Sequence, residues 1–411
     1  MLSVMKEIFS NRNVMVITFT TSFYSFFAGL YMTFWPLYLL KLGATTEIIG
    51  ILSMISSTAL LLFQLPGGIL ADKIGRRKVI VYGSVCRLLT PIIYLFATSW
   101  VMVIPGLLCS AMASIYMPAF SALITESLPS KRRGAAFGAY RMITMMPRVV
   151  TVFLGGVIMD SLGIWEGTRM VLIAVIFAVI IMIVLRYKFI TETLSVKERS
   201  EAKEQSWKES ILELRNQSRT VWAMLSVSCI SSFALRLSLP FMVLYAINVI
   251  GLSTTEWGVI GSIIGIISMS LSFPGGLISD RIGRKPNILL ARILSPITTF
   301  GMTLARGFNE TLLVRIVSSI GGGLGGGVGG GSGGPAWRAL LADVIPARRR
   351  GRVFGLMGTF TGMVGAPASW IGGYLWDNYN PDIAFQMSCG LGIIPIFILL
   401  FFVKEPKVKE K

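Results

Sequence analysis

The sequence contains no histidine and only four cysteines. Without histidine it lacks the usual proton shuttle near neutral pH and the commonest metal ligand. Cys86, Cys109, Cys229 and Cys389 stand singly inside apolar runs, with no paired spacing for a disulfide or a metal, and read as packing residues. No metal site and no cofactor motif can be assembled from what remains. Charge is also scarce, at 14% of residues against about a quarter in an ordinary soluble domain. Acids are the scarcer sign, with 20 Asp and Glu against 38 Lys and Arg. Alternating segments of about ten residues, the mark of a membrane β-barrel, are missing as well.

What fills the chain is apolar: 54% hydrophobic residues and a mean hydropathy of +0.71 over 411 residues. About 20 apolar residues cross a bilayer core as a helix. Twelve such spans are readable, at about 13–40, 46–71, 79–98, 100–124, 134–159 and 168–189, then at about 219–249, 255–279, 286–305, 311–342, 351–376 and 383–402. The fold class that follows is an all-α polytopic membrane protein. Residues 1–189 form a first six-helix bundle, 190–218 a charged linker with an interfacial helix around Trp207, Ile211 and Leu214, and 219–411 a second bundle. The first apolar run is too long for a signal-peptide core and is expected to stay as a span.

The net charge of +18 invites a nucleic-acid reading, which the placement of the cations excludes. They fall in short loops on one side: Lys73, Arg76, Arg77 and Lys78, then Lys131 to Arg133, then Arg281, Arg284 and Lys285, then Arg348 to Arg350 and Arg352. That asymmetry puts both termini in the cytoplasm of a plasma-membrane protein. Anionic lipid headgroups at the cytoplasmic face are the expected partners of the surplus charge.

The halves are related. Pro66-Gly67-Gly68 through Asp72, Gly75 and Arg76 returns 208 residues later as Pro274-Gly275-Gly276 through Asp280, Gly283 and Arg284. Farther on, Pro118 and Pro335, Glu126 and Asp343, Gly134 and Gly351, and Asp160 and Asp377 pair at 217. The gain lies near Gly321–Gly334, whose many glycines predict a bend, a local unwinding or an extension of span 10. Tight packing is the competing reading of that run.

The twin loops, Gly68-x-x-x-Asp72-x-x-Gly75-Arg76-Arg77-Lys78 and Gly276-x-x-x-Asp280-x-x-Gly283-Arg284-Lys285, resemble the loop 2–3 and loop 8–9 signature of the major facilitator superfamily. Six spans, a linker and six more match that family over nearly the whole chain. The resemblance implies two pseudo-symmetric bundles and transport of a small molecule by alternating access, as a secondary transporter and not an enzyme. It also implies a cytoplasmic gate of Gly68, Asp72, Gly75, Arg76 and Glu126, mirrored by Gly276, Asp280, Gly283, Arg284 and Asp343. In that gate Glu126 would pair with Arg76 and Asp343 with Arg284, while Asp72 and Asp280 would face the starts of spans 11 and 5.

Charges at membrane depth are functional candidates. Arg141 and Arg148 share a face of span 5 and Arg236 lies midway along span 7, while no acid reaches comparable depth. With Tyr24, Phe27 and Tyr31 on one face of span 1 they make the candidate substrate cavity, expected between the halves. Arg87 and Arg292 stand at related places in spans 3 and 9 and read as structural; Arg315 precedes the span-10 glycines, and span 4 has no arginine. Two cargoes fit. Efflux of amphipathic compounds follows from the aromatic, Met-rich spans and the loop signature, and organic-anion transport or exchange from Arg141, Arg148 and Arg236. A receptor or channel is the reading from a different class. Coupling to a proton or to a counter-anion stays open, and a monomer is expected.

Overall fold

The computed structural model describes residues 11–127, 133–192, 218–323, 335–345 and 350–403. The linker helix, the glycines from 324 to 334 and the basic loops at 128–132 and 346–349 lie outside the described residues. Among the described residues the chain is helical and has no strands.

Each span has a local cause for where it runs and stops. Span 1 is Arg12–Met32 followed by a second short helix, Trp35–Lys41, and is not the single helix expected over 13–40. Pro36 lies in the first turn of that second helix, where its missing N–H costs nothing. Span 2 is Thr46–Ile74 and span 3 Arg76–Phe96. Span 4 opens with the 3-10 turn Trp100–Met102 and continues as Val103–Ala113 and Tyr116–Ser127. Spans 5 and 6 form the run Arg133–Phe189, interrupted at Gly163, where φ is 77°. In the second half, span 7 is Arg219–Ser238, extended through the π-helical segment Tyr245–Val249. Spans 8 and 9 are Thr254–Ile282 and Arg284–Leu304. Span 10 begins as Phe308–Gly321 and ends as Pro335–Val344; spans 11 and 12 are Arg350–Asn378 and Pro381–Phe402. How span 10 crosses its glycines lies outside the described residues.

The glycines of the twin loops show why the motif needs them. Gly75 and Gly283 sit at φ 102° and 108°, between two long helices, where a side chain would clash with its own backbone. Gly43 and Gly251, also 208 apart, repeat the pattern at φ 82° and 85°.

Clustering of the backbone gives two units, residues 1–44 with 55–204, and 45–54 with 205–411. Their cores are built from corresponding positions. In the first unit Ile17, Ile80, Ala119, Phe120, Leu123 and Ile190 are buried together. In the second their counterparts Met224, Ile288, Ala336, Trp337, Leu340 and Val403 are buried together. Close helix contacts repeat too: a Cβ on Gly155 would lie 2.2 Å from the Leu30 carbonyl oxygen, and one on Gly372 would lie 2.1 Å from that of Leu237. Spans 1 and 5, and spans 7 and 11, therefore touch backbone to backbone, as membrane helices do where small residues permit.

The outer surface is apolar. Phe177, Ile180, Ile181, Val184, Phe397, Phe401 and Phe402 are all exposed, as a lipid-facing surface requires and a water-facing one would not tolerate. Among the described residues nine helical stretches are long and apolar enough to cross a membrane, and the one from Ile143 to Phe189 holds two spans.

The close contact gives a stability prediction. Gly155→Ala forces a methyl into the Leu30 backbone and is expected to destabilise the protein by about 1–3 kcal/mol. Gly355→Ala, where nothing lies within 4 Å, is expected to be neutral or to gain up to about 1 kcal/mol of helix propensity. Thermal unfolding of the two variants in detergent checks the contrast, and equal melting temperatures would refute the backbone contact.

Candidate functional site

The first bundle is organised around two arginines on spans 3 and 6. Arg186 is 1% exposed. Its Nε donates to Thr20 Oγ1 at 3.2 Å, Nη1 to Ser84 Oγ at 2.8 Å and Nη2 to Thr21 Oγ1 at 3.2 Å. Its guanidinium also lies 5.4 Å from the Tyr116 ring and 5.8 Å from the Phe120 ring. Arg87 approaches the same Tyr116 ring at 5.4 Å, and its Nη1 donates to the Tyr24 hydroxyl at 3.2 Å. Tyr116 thus stands between two cations. Hydroxyls and ring faces supply here what carboxylates supply in soluble proteins.

The candidate residues fall around this centre unevenly. Tyr24 is the partner of Arg87, and Tyr31, at 7% exposure, packs edge-on to Trp35 at 5.8 Å. Phe27 is half-buried among Phe23 and Phe26. Tyr31 is thus buried within the first unit, while the half-buried Tyr24 is tied to span 3 through Arg87. Arg148 is exposed on span 5, between the exposed Met145, Met146 and Val150. The Arg141 side chain lies outside the described residues. In the second unit Arg236 is half-buried and packs against Gly365, where a Cβ would meet its Cδ at 3.0 Å. Arg315, on span 10, lies 5.5 Å from the Trp257 ring and donates to Met242 Sδ.

One relation from the sequence needs correcting. Spans 3 and 9 are both 21-residue helices that start just after Gly75 and Gly283, so in register Arg292 matches Ser84 and Arg87 matches Ser295. Arg292 and Arg87 are thus one turn apart and are not equivalent. Arg292 lies 5.4 Å from the ring of Trp337, the counterpart of Phe120. It takes in the second bundle the place that Arg186 takes in the first, reached from a different helix.

At the loop ends, Arg284 Nη1 donates to Asp343 in a partly exposed ion pair. Lys285 Nζ donates to the carbonyls of Leu400 and Val403 at 2.9 and 2.7 Å, closing the end of span 12. In the first unit the Glu192 carboxylate accepts the backbone N–H groups of Arg76 and Arg77, both at 3.2 Å, at the N-terminus of span 3. Gly68, Asp72, Gly276 and Asp280 lie within the helices of spans 2 and 8, and Glu126 within span 4. The side chains of Asp72, Asp280 and Glu126 lie outside the described residues. Near the start of span 2, in residues that group with the second unit, Asp377 accepts the Glu47 N–H at 2.6 Å and Glu47 accepts Trp370 Nε1–H at 3.0 Å.

The profile of the Major Facilitator Superfamily matches residues 17–328 and 320–411. The chain belongs to this superfamily. It is a multi-pass membrane protein of the superfamily's twelve-span, two-bundle fold. The probable 4-methylmuconolactone transporter of Cupriavidus pinatubonensis is 28% identical over 193 residues, 46% of this chain and 42% of that protein. The quinolone resistance protein NorA of Staphylococcus aureus is 24% identical over 173 residues, 42% of each chain. The match thus spans less than half the length of these curated relatives. Over the whole fold, the nucleoside transporter NupG superposes with a TM-score of 0.77 at 12% identity, covering 95% of this chain and 99% of that one.

Two features of this superfamily member escaped the sequence. Arg186 sits beside Tyr187 and Lys188 at an inner span end, and nothing in its spacing singles it out. The signal that could have exposed it is the trio Thr20, Thr21 and Ser84 on apolar spans, polar groups that need a partner. Glu192, at the edge of the linker, reads as solvated charge.

The Arg284–Asp343 pair yields a test of the gate. The two side chains are 20% and 38% exposed, so the pair contributes no more than about 1 kcal/mol to folding. Asp343→Arg is expected to leave the melting temperature nearly unchanged and to cut transport at least ten-fold, and Arg284→Asp in the same chain is expected to restore most of it. Uptake by vesicles carrying the single and double variants measures this; a double variant as poor as the single would refute the pairing as a gate.

Proposed function

We propose that the chain is a secondary transporter of small amphipathic organic anions, working by alternating access in the plasma membrane with both termini in the cytoplasm. The observation that carries the reading is Arg148. It is an exposed guanidinium midway along an apolar helix, among exposed methionines, and no hydrogen bond or ion pair engages its side chain among the described residues. An arginine so placed faces water or a ligand, because hydrocarbon would cost several kcal/mol, about 2.5 to 3.5 on insertion scales. Its preferred ligand is a carboxylate or another planar oxyanion, which the guanidinium fork binds with two parallel hydrogen bonds. The apolar flank of Met145, Met146 and Val150 suits the rest of an amphipathic molecule.

Arg141 and Arg236 are proposed as further substrate-facing cations, with Phe27 as an apolar lining residue. The relatives are compatible with this cargo class: one is named for a muconolactone, and a lactone of a dicarboxylic acid keeps one free carboxylate. Anionic lipids at the cytoplasmic loops and a monomeric state remain part of the proposal. Efflux of uncharged or cationic amphiphiles is a second reading, favoured by the exposed methionines and by the relative named for quinolone resistance.

Proteoliposome uptake of monocarboxylate amphiphiles, sugars and lipophilic cations, with and without a pH gradient, decides between them. Saturable uptake of the carboxylates alone is expected. It should fall by ten-fold or more in Arg148→Ala, about 1.4 kcal/mol or more of lost binding, and recover partly in Arg148→Lys. Cation transport indifferent to Arg148→Ala would overturn the anion reading in favour of the second.

A further inference from the structure

The repeat exposes a second cationic place, unrelated to the exposed Arg148 and inside the second bundle. Arg292 is 5% exposed. Among the described residues its guanidinium lies 5.4 Å from the Trp337 ring and makes no hydrogen bond or ion pair. Arg186, over the corresponding Phe120 ring, has three hydroxyl partners. Two arginines in corresponding places are thus treated in opposite ways.

The reason lies in three exchanges between the halves. Leu30 and Leu237 are held against Gly155 and Gly372 in the same way, which sets spans 1 and 7 in register. In that register Tyr24 corresponds to Ser231, and Thr21 to Ser228; on span 9 Ser295 stands for Arg87. In the first unit the Tyr24 ring and the Arg87 side chain fill the bundle and bond to each other at 3.2 Å. In the second unit both are replaced by serines, and the neighbouring groups close most of that space. A small pocket remains, lined by Ser231, Arg292, Ser295, Thr299 and Ser388 beside the apolar Leu235 and Pro296, with room for about one water-sized occupant (≈ 20 Å³). Ser231 Oγ, 9% exposed, is buried and has no hydrogen-bond partner. Ser388 and Thr299 are engaged, the first with Ala234 O and Ser238, the second with Ser295 O.

We propose that this pocket is a resident site for a small monovalent anion of halide size, held by the Arg292 guanidinium and the Ser231 hydroxyl. The free groups at the site are donors: the guanidinium has five N–H and no acceptor, and the serine hydroxyl rotates to donate. A water molecule offers a lone pair but leaves the charge uncompensated in a low-dielectric bundle, which is costly. A monatomic anion compensates both, and the pocket is too small for a phosphate or an organic carboxylate. The anion replaces, in the second bundle, the ring and hydroxyl shell that the first bundle builds from its own side chains. It is a fixed counter-ion and not the cargo, so the site stands or falls independently of the transport reading.

The test is thermal unfolding of the purified full-length protein in sodium chloride, sodium bromide and sodium gluconate at equal ionic strength. Both halides are expected to raise the melting temperature by several degrees over gluconate, saturating with concentration as binding to the folded state requires. Arg292→Gln removes the cation, and Ser231→Val removes the hydroxyl and puts methyl groups into the space for the ion. Each is expected to weaken the apparent halide affinity at least ten-fold. Ser231→Val keeps the test alive should Arg292→Gln fail to fold. Equal melting temperatures in halide and gluconate would overturn the proposal, as would a halide effect that survives Ser231→Val, which would place the ion at the basic loops.

Discussion

The arrangement of this protein depends on burying guanidinium groups in helix bundles that hold no carboxylate at the same depth. A charge taken out of water costs several kcal/mol even after relaxation. Arg186 recovers that cost through three hydrogen bonds to hydroxyls, each worth about 1.5–3 kcal/mol when the donor is charged, and through two ring faces. This choice fixes other residues in turn. Thr20 and Thr21 on span 1, Ser84 on span 3, and Tyr116 and Phe120 on span 4 are where they are because one arginine of span 6 points at all of them. The bundle acquires a unique register that close-packed aliphatic residues alone would not impose.

The second bundle keeps the frame and changes the contents. Many of its core positions correspond to those of the first, from Met224 for Ile17 to Trp337 for Phe120. Its arginine, however, comes from span 9 instead of span 6, and Leu399, buried and apolar, stands at the level of Arg186. The hydroxyls and rings that surround a guanidinium in the first half have become Val227, Ser228 and Ser231. A duplicated fold tolerates such exchanges because each bundle needs only that its aromatic ring be covered and its charge compensated, by whichever helix supplies the group. The asymmetry leaves a small pocket beside the arginine of the second bundle.

Much of this was legible in the sequence, for physical reasons. Apolar length announces a span whatever its neighbours do, and the loop glycines Gly75 and Gly283 announce a turn because the required φ admits little else. The double repeat then identifies the superfamily. What resisted reading is pairwise. Tyr24 and Tyr31 share a helical face, and periodicity does not say that the first meets Arg87 and the second packs on Trp35. Arg186 is not singled out by the sequence because hydropathy counts residues and not partners. Arg87 and Arg292 looked equivalent because each precedes a proline by four residues, whereas the helix start, which sets the register, lies at the loop glycine.

The distribution of interaction strength bears on how such a molecule can move. The contacts that define each bundle are buried, numerous and backbone-close: Gly155 on Leu30, Gly372 on Leu237, Arg186 in its shell. Those described at the loop ends are partly wet: Arg284 with Asp343, Glu192 on the first turn of span 3, Lys285 on the last carbonyls of span 12. Exposed pairs and helix-end charges contribute at most about 1 kcal/mol each, a small fraction of what holds a bundle together. Alternating access asks for this separation, since two states can both be populated only when the contacts exchanged between them nearly balance. A cargo that binds one state better by a few kcal/mol can then shift the balance, whereas buried contacts exchanged in each cycle would lock it.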